Sequence, residues 1–219
     1  VTVVGNGSAC VVGGHAYIIK KGQRFITNSA IASMGYDLPA AIGAWTASRD
    51  KGCYSQGGDR SGEDLILVTG DGSMQMNLQE LQTIIHHRMG IKIFVINNGG
   101  YHSIRQTQKN FFGEPLIGIG VDSGDLSFPA LDKLAAAYGY PYVSARHNSE
   151  LGEAVEKTLA AEGPAICEVF VSMDQNFEPK SSAKRLPDGT MVSPPLEDLS
   201  PFLPDEEMDE NMIIPRIKG

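Results

Sequence analysis

The most constraining feature of the sequence is a strand–turn–helix–strand pattern between residues 65 and 100. The apolar run Leu65–Thr69 ends in the turn GDGS, and a second apolar run, Ile91–Ile96, ends in NNGG. Two strands joined through a helix form a right-handed crossover, which brings both strand ends to the same edge of one sheet. We therefore expect Asp71 and Asn98 to meet at the edge where open α/β sheets bind ligands.

The helix inside this unit is predicted to begin at Asn77. The pattern Asn77-x-x-Glu80 has the form of a capping box, with Asn as the N-cap residue. The apolar residues that follow recur at helical spacing and define one face. These residues are Leu78, Leu81, Ile84, Ile85 and Met89.

Apolar runs alternate with helical patterns over most of the chain. Several runs lack period-two alternation, which is typical of strands buried on both faces. We therefore predict an α/β fold with a mainly parallel sheet and helices on both faces. The predicted strands are Val1–Val4, Arg24–Thr27, Leu65–Thr69, Ile91–Ile96, Tyr140–Ser144 and Ala165–Val171. The predicted helices are Asp37–Ser48, Asn77–Met89, Phe128–Tyr138 and Ser149–Ala161.

Two segments depart from this alternation. The polar, glycine-rich run Asp50–Glu63 is predicted to be a surface loop. Residues 173–219 hold seven of the twelve prolines, which is compatible with a disordered tail. Their spaced apolar residues favour an extended arm packed over a domain formed by residues 1–172. Because the chain starts at Val1 within a predicted strand, we expect it to be the C-terminal part of a longer protein.

Charge and composition exclude several classes of function. The formal net charge is -8 and the basic residues are scattered, so we expect no nucleic-acid-binding surface. No apolar run is long enough to span a bilayer, so we expect no membrane partner. Cys10, Cys53 and Cys167 form neither a CxxC pair nor a zinc spacing. An odd number of cysteines without a secretory leader predicts a cytoplasmic protein.

The polar residues at the two turns suit a hard cation. An Asp71 carboxylate, an Asn98 amide oxygen and a nearby main-chain carbonyl favour Mg²⁺ or Ca²⁺ over zinc. A single carboxylate leaves positive charge on the ion, which Mg²⁺ usually balances with phosphate oxygens. Glycines allow the backbone to approach a phosphate closely. Either turn alone is more often structural, but their spacing together predicts a metal and diphosphate site.

The same turns carry a resemblance to a known family. GDGS followed by NN resembles the thiamine-diphosphate motif of the pyruvate-decarboxylase and acetolactate-synthase superfamily. The similarity covers most of residues 1–172. The segments TNSAIASMGYDLPAAIGA and NNGGYHSIRQTQ are most similar to acetolactate synthase and its relatives. The resemblance implies the C-terminal cofactor-binding domain of a 2-keto-acid decarboxylating carboligase that uses thiamine diphosphate and Mg²⁺.

The resemblance also implies roles for individual residues. Asp71 and Asn98 would bind Mg²⁺ through their side chains, and Gly100 through its carbonyl. Met34 would bend the cofactor, and the carbonyl of Ala32 would accept a hydrogen bond from its aminopyrimidine. The remaining residues implied in cofactor binding are Asn6, Gly7, Ser8, Gly70, Gly72, Ser73, Tyr101, His102, Ser103 and Ile104. His102 is either a catalytic group or a helix-capping or solvent-facing residue.

One catalytic part has no match in this chain. In the family, a Glu that helps to activate the cofactor lies in a pyrimidine-binding domain, usually on another subunit. The resemblance thus implies a homo-oligomer with pyruvate or another 2-keto acid as substrate, and an isolated chain that does not turn over. FAD, which some relatives use, could bind only through an upstream domain.

The acceptor and the reaction type stay open. Thr107 stands where biosynthetic acetolactate synthases have a Trp that helps to select the acceptor. The acceptor could be a 2-keto acid, an aldehyde or a keto-sugar. Two further alternatives are a simple 2-keto-acid decarboxylase and a non-catalytic module that binds metal and diphosphate.

Overall fold

The computed structural model describes residues 1–49 and 65–216. Within these residues, a six-stranded sheet has the order β2-β1-β3-β4-β6-β5, and every neighbouring pair is parallel. The predicted parallel α/β fold and its six strands are confirmed, whereas the loop predicted at Asp50–Glu63 lies outside the described residues. The strands are β1 (Thr2–Val4), β2 (Phe25–Ile26), β3 (Leu65–Gly70), β4 (Ile91–Asn97), β5 (Tyr142–Ala145) and β6 (Ala165–Phe170).

Helices connect the strands. None of those described combines the length and the apolar character needed to cross a membrane. They are α1 (Ser8–Ala16), α2 (Asp37–Arg49), α3 (Asp71–Gln75), α4 (Glu80–His86), α5 (His102–Phe111), α6 (Leu131–Tyr138) and α7 (Asn148–Ala160).

The sheet is covered on both faces. Side chains of a strand alternate between its two faces, and those of β3 divide in this way. Leu65 and Leu67 belong to a core cluster that includes residues of α2, α4 and α6. Ile66 and Val68 pack against a second cluster, which includes Ala154 of α7. The prediction of helices on both faces is therefore confirmed.

The helix predicted from Asn77 begins elsewhere. Residues of the GDGS turn already form the short helix α3, and α4 starts at Glu80 with Gln79 in the N-cap position. The side chain of Asn77 caps neither helix: its Nδ2 donates to the carbonyl oxygen of Gly35 at 2.6 Å, and its Oδ1 accepts from Gln79 Nε2 at 3.2 Å. The predicted capping box was wrong because the side-chain oxygen that a cap would use accepts from Gln79, and the contact with Gly35 holds the amide away from the helix start.

Lys92 is a buried cation at the end of β4 that lies away from the GDGS and NNGG turns. It has 0% exposure, and its Nζ donates to the carbonyl oxygens of Ala161 and Gly163 just beyond α7. A cation at the carboxyl end of a helix satisfies carbonyls that lack partners within the helix. This contact joins α7 to the sheet far from the candidate site.

We predict that Lys92→Met destabilises the fold and leaves ligand binding unchanged. The two carbonyls lose a charged donor, which costs about 1–3 kcal/mol in the free energy of unfolding. Urea denaturation followed by circular dichroism measures this loss. An unchanged denaturation midpoint would show that the buried lysine contributes nothing to stability.

The chain divides into two compact units, Val1–Gln175 and Asn176–Gly219. The second unit contains the antiparallel hairpin β7 (Lys184–Arg185) and β8 (Met191–Val192), and the helix α8 (Asp205–Asn211). The sequence analysis predicted the boundary between the domain and the arm after residue 172, but it predicted none of these three elements. That this arm packs over the domain stays a prediction.

Candidate functional site

The turns after β3 and β4 meet at one edge of the sheet. These strands are neighbours, with Gly70 opposite Ile96 in register. Asp71 joins the turns, because its Oδ2 accepts a hydrogen bond from the N–H of Gly100 at 2.9 Å. Its Oδ1 accepts from the N–H of Gly72 at 2.8 Å, and the residue is only 8% exposed.

Burial raises the pKa of the Asp71 carboxyl to about 6. Hydrogen bonds from the N–H groups of Gly72, Gly100 and Gly99, and the positive charge of Arg105, act in the opposite direction without cancelling the effect of burial. Burial therefore makes the charged form of this carboxyl less favourable than it is in water. A divalent cation bound against it would supply positive charge, so this residue fits a metal ligand.

Asn98 connects the second turn to the start of helix α1. Its Nδ2 donates to Ser8 Oγ at 2.6 Å, which leaves the amide oxygen as the atom for a cation. We name residues 97–100 the metal loop. No three His, Cys, Asp or Glu side chains gather into a metal cluster within residues 1–49 and 65–216. One carboxylate with amide and main-chain oxygens is a hard donor set that suits Mg²⁺.

Asn6 and Ser73 link the turns around the site. The Asn6 amide nitrogen donates to the carbonyl oxygen of Ser33, and Ser73 Oγ accepts from the N–H of Gly35 at 2.9 Å. The Oδ1 of Asn6 is buried and has no hydrogen-bond partner among the described residues. Because buried polar atoms are usually hydrogen-bonded, this orphaned acceptor indicates a place for a ligand or water.

These turns line a cleft that opens to solvent. Every site residue predicted from the sequence except Ala32 lines this cleft. The cleft is lined by Asn6, Gly7, Ser8, Met34, Gly70, Asp71, Gly72, Ser73, Asn98, Gly100, Tyr101, His102, Ser103 and Ile104.

Two glycines in the lining have no room for a side chain. A Cβ on Gly72 would lie 2.5 Å from Cε1 of Tyr101. A Cβ on Gly100 would lie 2.0 Å from the carbonyl oxygen of Ile119, and the φ of Gly100 is +143°. The close approach of the Ile119 backbone therefore requires glycine at position 100, whereas the ring of Tyr101 occupies the space beside Gly72.

Ala32 lies outside the lining, on the exposed turn before Met34. Its φ of 56° is in the left-handed region, which costs an alanine roughly 1 kcal/mol. Its N–H donates to the carbonyl oxygen of Asn28 at 3.0 Å. The turn therefore keeps a strained backbone two residues before Met34, whose side chain lines the cleft, and the role of the Ala32 carbonyl stays a prediction.

Helix α5 has its polar side turned inward. His102, Arg105 and Gln106 are buried, whereas Ile104 is 46% exposed and Phe111 is 38% exposed. The sequence analysis missed Arg105, which forms an ion pair with Asp122 at 2.8 Å. This hydrogen-bonded guanidinium lowers the pKa of the Asp122 carboxyl. The available signal was the helical spacing of three polar residues after NNGG.

Comparisons with known proteins match one continuous region of the chain, which includes the turns around the cleft. Residues 5–169 match the family described as "Thiamine pyrophosphate enzyme, C-terminal TPP binding domain". The chain is 31% identical over 157 residues to acetolactate synthase of Arthrospira platensis, covering 72% of this chain and 24% of that protein. It is 29% identical over 178 residues to the large subunit of acetolactate synthase isozyme 2 of Escherichia coli K12, covering 81% of this chain and 29% of that protein.

A solved structure shares the fold. Benzoylformate decarboxylase of Polynucleobacter necessarius superposes with a TM-score of 0.66 at 21% sequence identity. The match covers 80% of this chain and 30% of that one. At this identity the likeness concerns the fold alone. The chain spans 24% of the length of the Arthrospira platensis protein and an equal share of the acetolactate synthase large subunit of Cyanidium caldarium.

Proposed function

The chain belongs to the thiamine pyrophosphate enzymes as their C-terminal TPP-binding domain, and we propose that the whole protein is an acetolactate-synthase-like carboligase. Its substrate would be pyruvate or another 2-keto acid. The observation that carries this proposal is the hydrogen bond between Asp71 and Gly100, which joins the GDGS and NNGG turns beside Asn98. When bound, thiamine diphosphate supplies the electron sink for decarboxylation.

The residues of this chain would bind and orient the cofactor. Asp71 and Asn98 would hold Mg²⁺ through side-chain oxygens, and Gly100 through its carbonyl. Ser73 Oγ accepts a hydrogen bond from the N–H of Gly35, which leaves its own hydroxyl proton for a diphosphate oxygen. Met34 is half-buried in the cleft lining, as a side chain that bends the cofactor would need to be.

Exposed apolar residues occur in the cleft lining and close to it in the chain. Ile104, in the lining, is 46% exposed; Ile31, three positions before Met34, is 81% exposed; and Met76, three positions after Ser73, is 49% exposed. Contiguous exposed apolar patches are typical of an interface. We propose that they contact a pyrimidine-binding domain, supplied by another subunit of a homo-oligomer. FAD would bind only through a further domain.

The acceptor is not fixed by the residues near the cleft. Thr107 is exposed, and its Oγ1 donates to the carbonyl oxygen of Ser103 at 3.1 Å. It therefore offers neither the bulk nor the aromatic surface of the Trp in biosynthetic acetolactate synthases. A 2-keto acid, an aldehyde and a keto-sugar all stay possible as acceptors.

Product analysis of the full-length protein tests the reaction type. With pyruvate, thiamine diphosphate and Mg²⁺, a carboligase forms acetolactate or acetoin. A simple decarboxylase, the alternative, forms free acetaldehyde instead. Cofactor binding without either product would indicate a non-catalytic metal- and diphosphate-binding module. The similarity to acetolactate synthases favours the first outcome.

The isolated 219-residue chain is expected to bind Mg²⁺ and thiamine diphosphate weakly and to release no CO₂ from pyruvate. The reason is the missing Glu of the pyrimidine-binding domain, for which this sequence has no match. Circular dichroism confirms folding, and the full-length protein serves as the active control. Measurable decarboxylation by the isolated chain would contradict the proposal.

A cytoplasmic location stays part of the proposal. Cys10 and Cys167 are free thiols among the described residues. Free thiols agree with a reducing compartment.

A further inference from the structure

Arg105 is a buried cation beside the candidate cation site. Only 1% of the residue is exposed. Its Nε and Nη2 donate to the Asp122 carboxylate at 2.8 and 2.9 Å. Nη1 lies 3.2 Å from the carbonyl oxygen of Asn98 and 3.3 Å from His102 Nδ1. Nη2 also lies 3.2 Å from the carbonyl oxygen of Gly99, so all five guanidinium N–H groups have acceptors.

The two carbonyls held by this guanidinium belong to successive peptide units of the metal loop. In the Asn98–Gly99 unit, the N–H of Gly99 donates to Asn97 Oδ1 at 3.0 Å. In the next unit, the N–H of Gly100 donates to Asp71 Oδ2 at 2.9 Å. A peptide unit is planar, so hydrogen bonds at both its ends fix its orientation. The guanidinium supplies one end of each pair.

The metal loop needs this support because two of its residues are glycines with positive φ angles. Gly99 has a φ of 71° and Gly100 a φ of 143°. Glycine has no side chain that could anchor these conformations, and it loses more freedom on ordering than other residues. The Asn98 side chain and the Gly100 carbonyl extend from the units that the guanidinium holds. Their positions thus depend on Arg105.

The charge of Arg105 also needs an explanation, since a cation near a divalent ion repels it. Asp122 offsets that repulsion through a two-point contact with the guanidinium. Its side chain is 24% exposed, so the pair is partly open to solvent on the Asp122 side. The pair can therefore hold the loop without adding net charge beside the ion.

We propose that Arg105, neutralised by Asp122, is a positioning residue that pre-organises Asn98 and Gly100 to bind a divalent cation. This inference rests on the proposed function, because it assumes that the metal loop binds the cation of a diphosphate cofactor.

The test uses Mn²⁺ as the probe in the full-length protein with saturating thiamine diphosphate. Electron paramagnetic resonance measures both the affinity for Mn²⁺ and the spectrum of the bound ion. Arg105→Met is expected to weaken Mn²⁺ binding by about 10–100-fold, the usual effect of losing an outer-shell partner. Asp122→Asn is expected to weaken it by about tenfold, because an unneutralised guanidinium then faces the ion.

Two further variants separate positioning from stability. Arg105→Lys keeps the positive charge but loses the planar guanidinium with its fixed set of donors. Its affinity for Mn²⁺ should therefore stay about tenfold or more below that of the wild-type protein, and the Mn²⁺ spectrum should change. Lys92→Met removes another buried cation that holds two carbonyls, at the opposite end of β4. It should lower stability and leave the affinity and the spectrum of Mn²⁺ unchanged. If Arg105→Met does not fold, Asp122→Asn and Arg105→Lys carry the test.

The outcomes distinguish a failure of the proposed function from a failure of the positioning role of Arg105. A wild-type protein that binds no Mn²⁺ with thiamine diphosphate would overturn the proposed function, and this inference with it. A wild-type protein that binds Mn²⁺, with Arg105 and Asp122 variants indistinguishable from Lys92→Met, would overturn the positioning role alone. Selective loss of Mn²⁺ affinity in those variants would support it.

Discussion

Asp71→Ala should abolish Mg²⁺-dependent binding of thiamine diphosphate. Among the described residues, Asp71 supplies the one carboxylate of the cleft lining, and it also accepts hydrogen bonds from the N–H groups of Gly72 and Gly100. The variant loses the charged ligand and the bond that joins the two turns. We expect the affinity to fall by more than about 100-fold, beyond the usual effect of outer-shell changes. Isothermal titration calorimetry with Mg²⁺ and the cofactor measures this loss.

A matched control comes from an acid outside the cleft. Asp132 is exposed in the first turn of α6, and Asp132→Ala changes the net charge by the same amount. Its binding isotherm should coincide with that of the wild-type protein. Wild-type affinity in Asp71→Ala would remove the basis for a metal site at these turns.

Gly100→Ala should be the most damaging single-methyl change in the chain's candidate site. The added Cβ would lie 2.0 Å from the carbonyl oxygen of Ile119, at a φ that alanine rarely adopts. Backbone strain and overpacking each cost about 1–3 kcal/mol, so we expect a loss of about 2–6 kcal/mol in the free energy of unfolding. Cofactor binding should fall as well, because the Gly100 carbonyl and N–H must move.

Gly14→Ala is the appropriate control for an added methyl group. Gly14 lies within α1, and a Cβ built on it meets nothing within 4 Å. Alanine has a higher helix propensity than glycine, so the free energy of unfolding should rise by up to about 1 kcal/mol. Urea denaturation and calorimetry on both variants give the comparison. Equal stability and equal cofactor affinity for the two would contradict the close-packed metal loop.

The sequence predicted the parts of the fold that depend on strong local patterns. The runs at β3 and β4 are long, apolar and ended by glycine turns, so both strands begin where predicted and extend by one residue. Their shared edge followed from the handedness of the crossover. The same reasoning predicts that Asp71 lies beside the metal loop, and the hydrogen bond from the N–H of Gly100 to Asp71 Oδ2 agrees with it.

The features that the sequence did not predict depend on contacts between distant residues. Asn77 looked like a helix cap, but it bonds to Gly35, 42 positions away. Arg105 and Asp122 are 17 positions apart, and no recognisable sequence motif connects them. Helix α1 was missed because its sequence, SACVVGGHA, contains two glycines and no clear apolar stripe. Tertiary packing overrides local preference in each case.

The most direct test of the central claim is an experimental structure of the full-length protein with Mn²⁺ and thiamine diphosphate. Anomalous scattering locates the ion independently of the protein coordinates. We predict an ion bound by the Asp71 carboxylate, the Asn98 amide oxygen and the Gly100 carbonyl, with the remaining positions filled by diphosphate oxygens and water. An ion bound elsewhere, or a diphosphate held without contact to Asp71 and Asn98, would contradict the account.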